Sequence, residues 1–166
     1  MDTHAFKGDI VIQTFLPLPS FRESARVLDN RRLGKQRVEA KQILIALGVP
    51  VGQHEGNPAS RWKNHPAVKA WYGFERALAH YAIAVCDEWR ARGFTDTLTQ
   101  QFIDASEWIR LTYSDIAPSS VSGMPDWLGL PEFHASHRSN LLRKFPEHYS
   151  RFGWSEPSDL PYVWPA

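Results

Sequence analysis

Glu39 is the one carboxylate in a run of cations, flanked by Arg31, Arg32, Lys35, Arg37 and Lys41. Between Arg22 and Lys41 the chain carries seven Arg or Lys against Glu23, Asp29 and Glu39, a local charge of about +4. A second basic stretch, residues 134–151, carries about +3, and the remainder about −6, so a net charge of +1 hides two concentrations. A basic helix with one usable acid is what a nucleic-acid enzyme with a general acid/base carboxylate requires: cations hold phosphates, and the carboxylate moves protons or steadies developing positive charge. The same spacing also suits a solvated amphipathic helix laced with intrahelical ion pairs. In that reading Lys35, four residues before Glu39, is simply its surface partner.

His134-x-x-His137 places two imidazoles on one helical face, but no third ligand accompanies them, so a hydrogen-bonded or phosphate-facing pair is the better reading than a metal site. With Arg138, Arg143 and Lys144 they read as a second phosphate-contacting strip. Trp62, Lys63, Asn64 and His65 precede a helix start, where free N–H groups either attract anions or are capped. The aromatic tail, including Tyr149 and Trp154, either stacks on exposed bases or closes the core. Gly-rich phosphate loops and the GxSxG elbow are absent from the sequence.

The elements that would position these groups are mostly helical. Ser20 with Glu23 forms a capping box that starts a helix at Phe21. Asp29-Asn30 and Gly34 interrupt the pattern, predicting a short helix, a corner, and a longer helix to Leu47 with Leu33, Ala40, Leu44 and Leu47 inward. Residues 48–60 are a turn-rich loop. Asn64 caps a helix that runs from Pro66 to about Arg92 and stops at Gly93, with a seam of Val68, Trp71, Leu78, Ala82, Val85 and Trp89. Glu75 falls on that seam and is expected to snorkel at its edge. A weaker helix over 99–113 faces Phe102, Ala105 and Ile109 inward. Residues 116–131 read as a loop, and Phe133 to Phe145 as a further helix. The run from Asp9 to Leu16 reads as a strand or extended segment ended by Pro17 and Pro19.

Composition bounds the rest. A chain of 166 residues that is 43% hydrophobic and 22% charged fits one domain with a core. The single cysteine excludes an internal disulfide framework and suits a reducing compartment. There is no apolar run of membrane-spanning length and no secretory signature at the N-terminus, so a soluble, cytoplasmic protein is expected. The expectation is a mainly α, compact single domain over 1–166, with an N-terminal extension (1–12), a core (13–153) and an irregular aromatic tail (154–166).

Three blocks resemble the pyrimidine-dimer DNA glycosylase family, founded on the endonuclease V of T-even phages. Arg32-Leu33-Gly34-Lys35-Gln36-Arg37-Val38-Glu39 is similar to the helix that ends in the family's catalytic glutamate. Val68 through Arg92-Gly93-Phe94 is similar to its long middle helix, and Pro146 through Gly153 to its closing aromatic segment. RLGKQRVEA and HASHRSNLLRK look like a bacterial branch. The resemblance implies base excision from damaged or modified pyrimidines in double-stranded DNA, by a monomer that needs no metal or organic cofactor. In the family a neutral α-amine attacks C1′ to form an imine, and a glutamate, here Glu39, assists that step and strand cleavage by β-elimination. The family segment begins near Ile12-Gln13-Thr14, so the implied nucleophile is the α-nitrogen of Gln13 once freed, with Lys35 as the alternative amine. Implied phosphate contacts are Arg22, Arg26, Arg31, Arg32, Lys35, Arg37, Arg138, Arg143 and Lys144. The implied base pocket draws on Trp62, His65, His134, His137, Tyr149 and Trp154. Two rival readings stand beside this one: a non-catalytic nucleic-acid-binding module of the same fold, and a small-molecule or nucleotide hydrolase pairing Glu39 with His65 or His134.

Overall fold

The computed structural model describes residues 12–165. The expected extension before residue 12, and the first residues of the expected strand, lie outside them. The helices are α1 (Phe21–Val27), α2 (Asn30–Ala46), α3 (Pro66–Trp71), α4 (Glu75–Ala91), α5 (Thr99–Tyr113), α6 (Pro118–Ser122), α7 (Pro131–Lys144) and α8 (Pro146–Tyr149), followed by a 3-10 turn at Ser150–Phe152. The mainly α expectation holds, and no strand forms among the described residues.

The centre is an extended segment, residues 12–17, threaded between α2, α4 and α7. Ile12 through Leu16 are all buried. A buried extended backbone with no sheet beside it must find partners for its N–H and C=O groups elsewhere. Here side chains supply them. Phe15 N donates to Gln36 Oε1 (2.7 Å) and Leu16 N to His137 Nδ1 (2.9 Å). The carbonyls of Gln13, Phe15 and Leu16 accept from Gln36 Nε2 (2.8 Å), the Tyr81 hydroxyl (2.9 Å) and His134 Nδ1 (2.7 Å). It is an extended segment whose backbone partners are side chains in place of a neighbouring strand.

Ser20 caps α1 as expected, its Oγ accepting from Glu23 N at 3.1 Å. Asp29 caps α2, and it also takes the Tyr149 hydroxyl, which accepts in turn from Asp29 N (3.0 Å). Burial pushes the Asp29 carboxyl up, but Tyr149 and Arg32 outweigh it and hold the carboxyl below its ordinary value. Gly34 does not break α2. It lies inside the helix because a Cβ there would sit 3.0 Å from the Trp89 ring of α4.

Four further expectations are corrected. The long middle helix is two helices, α3 and α4, separated at Gly73 (φ +85°), a left-handed conformation that glycine adopts without strain. His65, not Asn64, caps α3: its Nδ1 accepts from Ala67 N at 3.0 Å. Glu75 is buried, not snorkelling, and accepts from Gly73 N (2.6 Å) and Ser120 Oγ (3.3 Å) across the α3–α4 corner. The expected loop over 116–131 contains the short α6.

Candidate active site at Glu39

Glu39 lies on the face of α2 turned toward the extended segment, and only 6% of its surface is exposed. Its Oε2 accepts from two directions: the Gln13 backbone nitrogen at 3.3 Å and Gln36 Nε2 at 3.1 Å. Burial raises the carboxyl's pKa above its ordinary value, and the Gln13 N–H, Lys35, Gln36 and Lys144 offset only part of that rise. The surface ion pair with Lys35 does not form: Glu39 is buried, Lys35 is exposed, and no bridge joins them among the described residues. Lys35 acts on Glu39 only through space.

Above this carboxylate opens a pocket of about 170 Å³ lined by Gln13, Phe15, Arg31, Arg32, Lys35, Gln36, Glu39, Lys144 and Tyr162. It is smaller than the roughly 300–1,000 Å³ of sites that enclose drug-sized ligands. Four cations face one carboxylate, a balance suited to a single sugar with its flanking phosphates. Lys144 is exposed as a residue, yet partial burial of its ammonium end and the positive charges of Arg32, Arg143 and Lys35 lower its pKa.

Gln36 was missed by the sequence reading, and it holds the site together. One amide group donates to Gln13 O and Glu39 and accepts from Phe15 N and Tyr81 OH (2.6 Å). Its spacing from Glu39, three residues on one helix, was the only available signal. Replacing it strands several buried polar groups, each costing about 1–3 kcal/mol. Gln36→Ala is expected to lower the melting temperature by several degrees and to slow any reaction at Glu39. A calorimetric scan that matches the wild-type protein would contradict this role.

The other expected site residues divide sharply. Of the expected phosphate contacts, Arg31, Arg32, Lys35 and Lys144 converge on the pocket. Arg37 instead pairs with Asp96 (Nε–Oδ1 2.8 Å) and lies over Trp89. Arg138 binds Glu156 (2.7 Å) and the Pro17 carbonyl (2.8 Å), and Arg143 reaches Ser158 O (3.0 Å) and Asn140. Arg37 and Arg138 are half-buried in these contacts, while Arg143 is exposed and fastens α7 to the tail. Arg22 and Arg26 line a separate cleft with Asp87 and Glu88.

None of the six residues expected in the base pocket lines it. His137 is fully buried, and burial drives its pKa down to about 3. It accepts from Leu16 N while His134 donates to Leu16 O and accepts from Gly129 N (2.8 Å), so both imidazoles act as neutral clamps on the extended segment. Both ring nitrogens of His134 are engaged in these contacts, and no hydrogen bond joins it to Glu39 among the described residues. Tyr149 is buried on Asp29, and Trp154 stacks on Tyr149 with rings 15° from parallel. His65 is spent on its cap, and Trp62 lies beneath Arg61 with its edge toward His65. The aromatic residue that does line the pocket with an exposed portion is Tyr162, from the tail.

Among the described residues no cluster of three or more His, Cys, Asp or Glu could hold a metal ion, and no helix is long and apolar enough to cross a membrane. Comparison with known families gives a match to the model described as pyrimidine dimer DNA glycosylase, over residues 12–101. No curated protein and no solved structure gives a match. The matched span takes in Gln13, Gln36 and Glu39, but not Lys144 or Tyr162.

Proposed function

The chain belongs to the pyrimidine dimer DNA glycosylase family, and we propose that it excises a damaged or modified pyrimidine at the Glu39 pocket through an imine. The observation that carries this reading is the 3.3 Å approach of the Gln13 backbone nitrogen to Glu39 Oε2, under a pocket rimmed by four cations. A chain that begins at Gln13 has a primary amine at that place. With Ile12 attached, the same nitrogen is an amide that donates to Glu39 and cannot attack.

In the proposed reaction the neutral amine's lone pair forms a bond to C1′ as the glycosidic bond breaks. The bond pair leaves with the base, which takes up a proton. The nitrogen, having given one proton to solvent, then forms C=N with its lone pair as C1′–O4′ breaks, the bond pair leaving on O4′, which takes up a proton, so that a protonated imine remains. Glu39 serves first as the anion beside the developing sugar cation and then as acceptor of a sugar proton. Removal of the C2′ proton expels the 3′ phosphate, giving strand cleavage, and water releases the amine. Arg31, Arg32, Lys35 and Lys144 hold the flanking phosphates. The duplex must be kinked, or a base flipped, to expose C1′.

Lys35 and Lys144 are the primary amines that line the pocket, and either could replace the α-amine. The lowered pKa of Lys144 gives it the larger neutral fraction relative to an ordinary lysine. Incubation with ultraviolet-irradiated duplex DNA and borohydride tests the reading: glycosidic cleavage, read as free pyrimidine after photoreversal of the dimer, and a covalent protein–DNA adduct are expected. A protein that binds this duplex but cleaves no glycosidic bond and is never trapped would falsify it, and favour a binding module instead.

A further inference from the structure

Residues 154–165 form a C-terminal arm without regular structure that is nevertheless fastened along α7. Ser139 Oγ donates to Pro157 O and accepts from Leu160 N (3.0 Å), Asn140 Nδ2 donates to Leu160 O (3.1 Å), and Ser136 Oγ accepts from Val163 N (3.1 Å). The Arg138–Glu156 pair fixes its beginning. These groups order the arm before any ligand arrives, so a ligand meeting it does not bear that entropy cost. Held this way, Tyr162 stands in the wall of the Glu39 pocket, backed by His137 with ring centroids 5.6 Å apart. Trp164 continues from it at 5.6 Å.

A glycosylase reacts at C1′, and the base is bonded to that carbon, so the base must lie against a wall of the same pocket. Two aromatic residues line it. Phe15, within the extended segment, is buried, whereas Tyr162 is half-buried, and its hydroxyl has no hydrogen-bond partner among the described residues. We infer that Tyr162, extended outward by Trp164, is the stacking wall that receives the unpaired pyrimidine of the reacting nucleotide. Choice of base then resides in the arm, beyond the span that the family model matches, while the reacting groups reside within it. This rests on the pocket being a glycosylase site.

The test uses the whole chain and a duplex with a fluorescent pyrimidine analogue at the position to be extruded, alongside single-turnover excision and binding of undamaged duplex. Stacking on the wall quenches the analogue. Tyr162→Leu is expected to abolish the quench and slow excision by about tenfold to a hundredfold, the range for losing one base–aromatic stack. Tyr162→Phe should retain both, and affinity for undamaged duplex should stay constant because the phosphate-holding cations are untouched. Trp164→Leu should show a smaller loss of both.

The inference is overturned if a folded Tyr162→Leu protein quenches and excises as the wild type does. It is equally overturned if affinity for undamaged duplex falls in step with excision. Should Tyr162→Leu not fold, Trp164→Leu decides, and unchanged quench and rate in that variant sink the wall. A wild-type protein that quenches the analogue but excises no pyrimidine lesion defeats the glycosylase reading and leaves the wall standing, while one that does neither defeats both.

Discussion

Glu39→Gln is expected to lower base excision by about 10²–10⁴-fold, the usual worth of a positioned acid/base group, and to abolish borohydride trapping while leaving the fold intact. The isosteric amide keeps one oxygen, which can still accept from the Gln13 nitrogen and Gln36 Nε2 as Oε2 does now. Binding to undamaged duplex should hold or strengthen, since the change removes the one negative charge from a pocket with four cations. The pH dependence follows from the raised pKa. The working form is the carboxylate, so wild-type excision should fall on the acid side at a pH above the ordinary glutamate value of 4.5. The stability sign is the opposite. A carboxyl whose pKa is raised by folding contributes stability below its unfolded value and loses it as pH rises through the folded one. At neutral pH Glu39 is therefore a stability cost, and Glu39→Gln should melt no lower than the wild type. Excision at the wild-type rate by this variant would remove Glu39 from the chemistry.

That division between function and stability was partly legible in the sequence. The Ser20 cap, the core seam through Leu78, Ala82 and Val85, and the stop at Gly93 are local patterns, and each appears where the spacing puts it. Glu39 was legible because a lone acid among cations stands out. The partners of the extended segment were not. Leu16 and His137 are 121 residues apart, as are Pro17 and Arg138, and periodicity says nothing about which polar residue will meet a backbone N–H that far away. His134 and His137 therefore read as a hydrogen-bonded or phosphate-facing pair, and nothing in their spacing says that one nitrogen of each meets the Leu16 backbone. The tail misled for a related reason. Counting aromatics singles out Tyr149 and Trp154, but Tyr149 is fixed by Asp29 and Trp154 by Tyr149, and the residue brought to the pocket is Tyr162. What brings it there is a row of serine, asparagine and arginine on α7 whose partners are backbone carbonyls and amides of the arm, a pairing with no sequence signature.

A chain that begins at Gln13 should be trapped by borohydride on damaged duplex on the order of 10²-fold more efficiently than the full chain with Ile12 in place. The gain comes from replacing an amide nitrogen, whose lone pair is delocalised, by a primary amine already positioned beside Glu39. An α-amine has a pKa of about 7.7–8.0, and two opposed influences act on it here. Glu39 at 3.3 Å favours the protonated form, while Arg31, Arg32, Lys35 and Lys144 around the pocket favour the neutral one. With these influences opposed, an α-amine near its ordinary pKa keeps a useful neutral fraction at pH 7–8. One side reaction must be read separately. An N-terminal glutamine amine can attack its own side-chain amide carbon, expelling ammonia and forming a lactam with no nucleophile. Intact mass detects this as a product lighter by one ammonia, and the Gln13→Ser form of the shortened chain cannot undergo it. Trapping of an equally efficient adduct by the full, untrimmed chain, mapped by peptide mass to Lys35 or Lys144, would show that a lysine supplies the amine. The 3.3 Å contact would then be a hydrogen bond that positions Glu39 and nothing more.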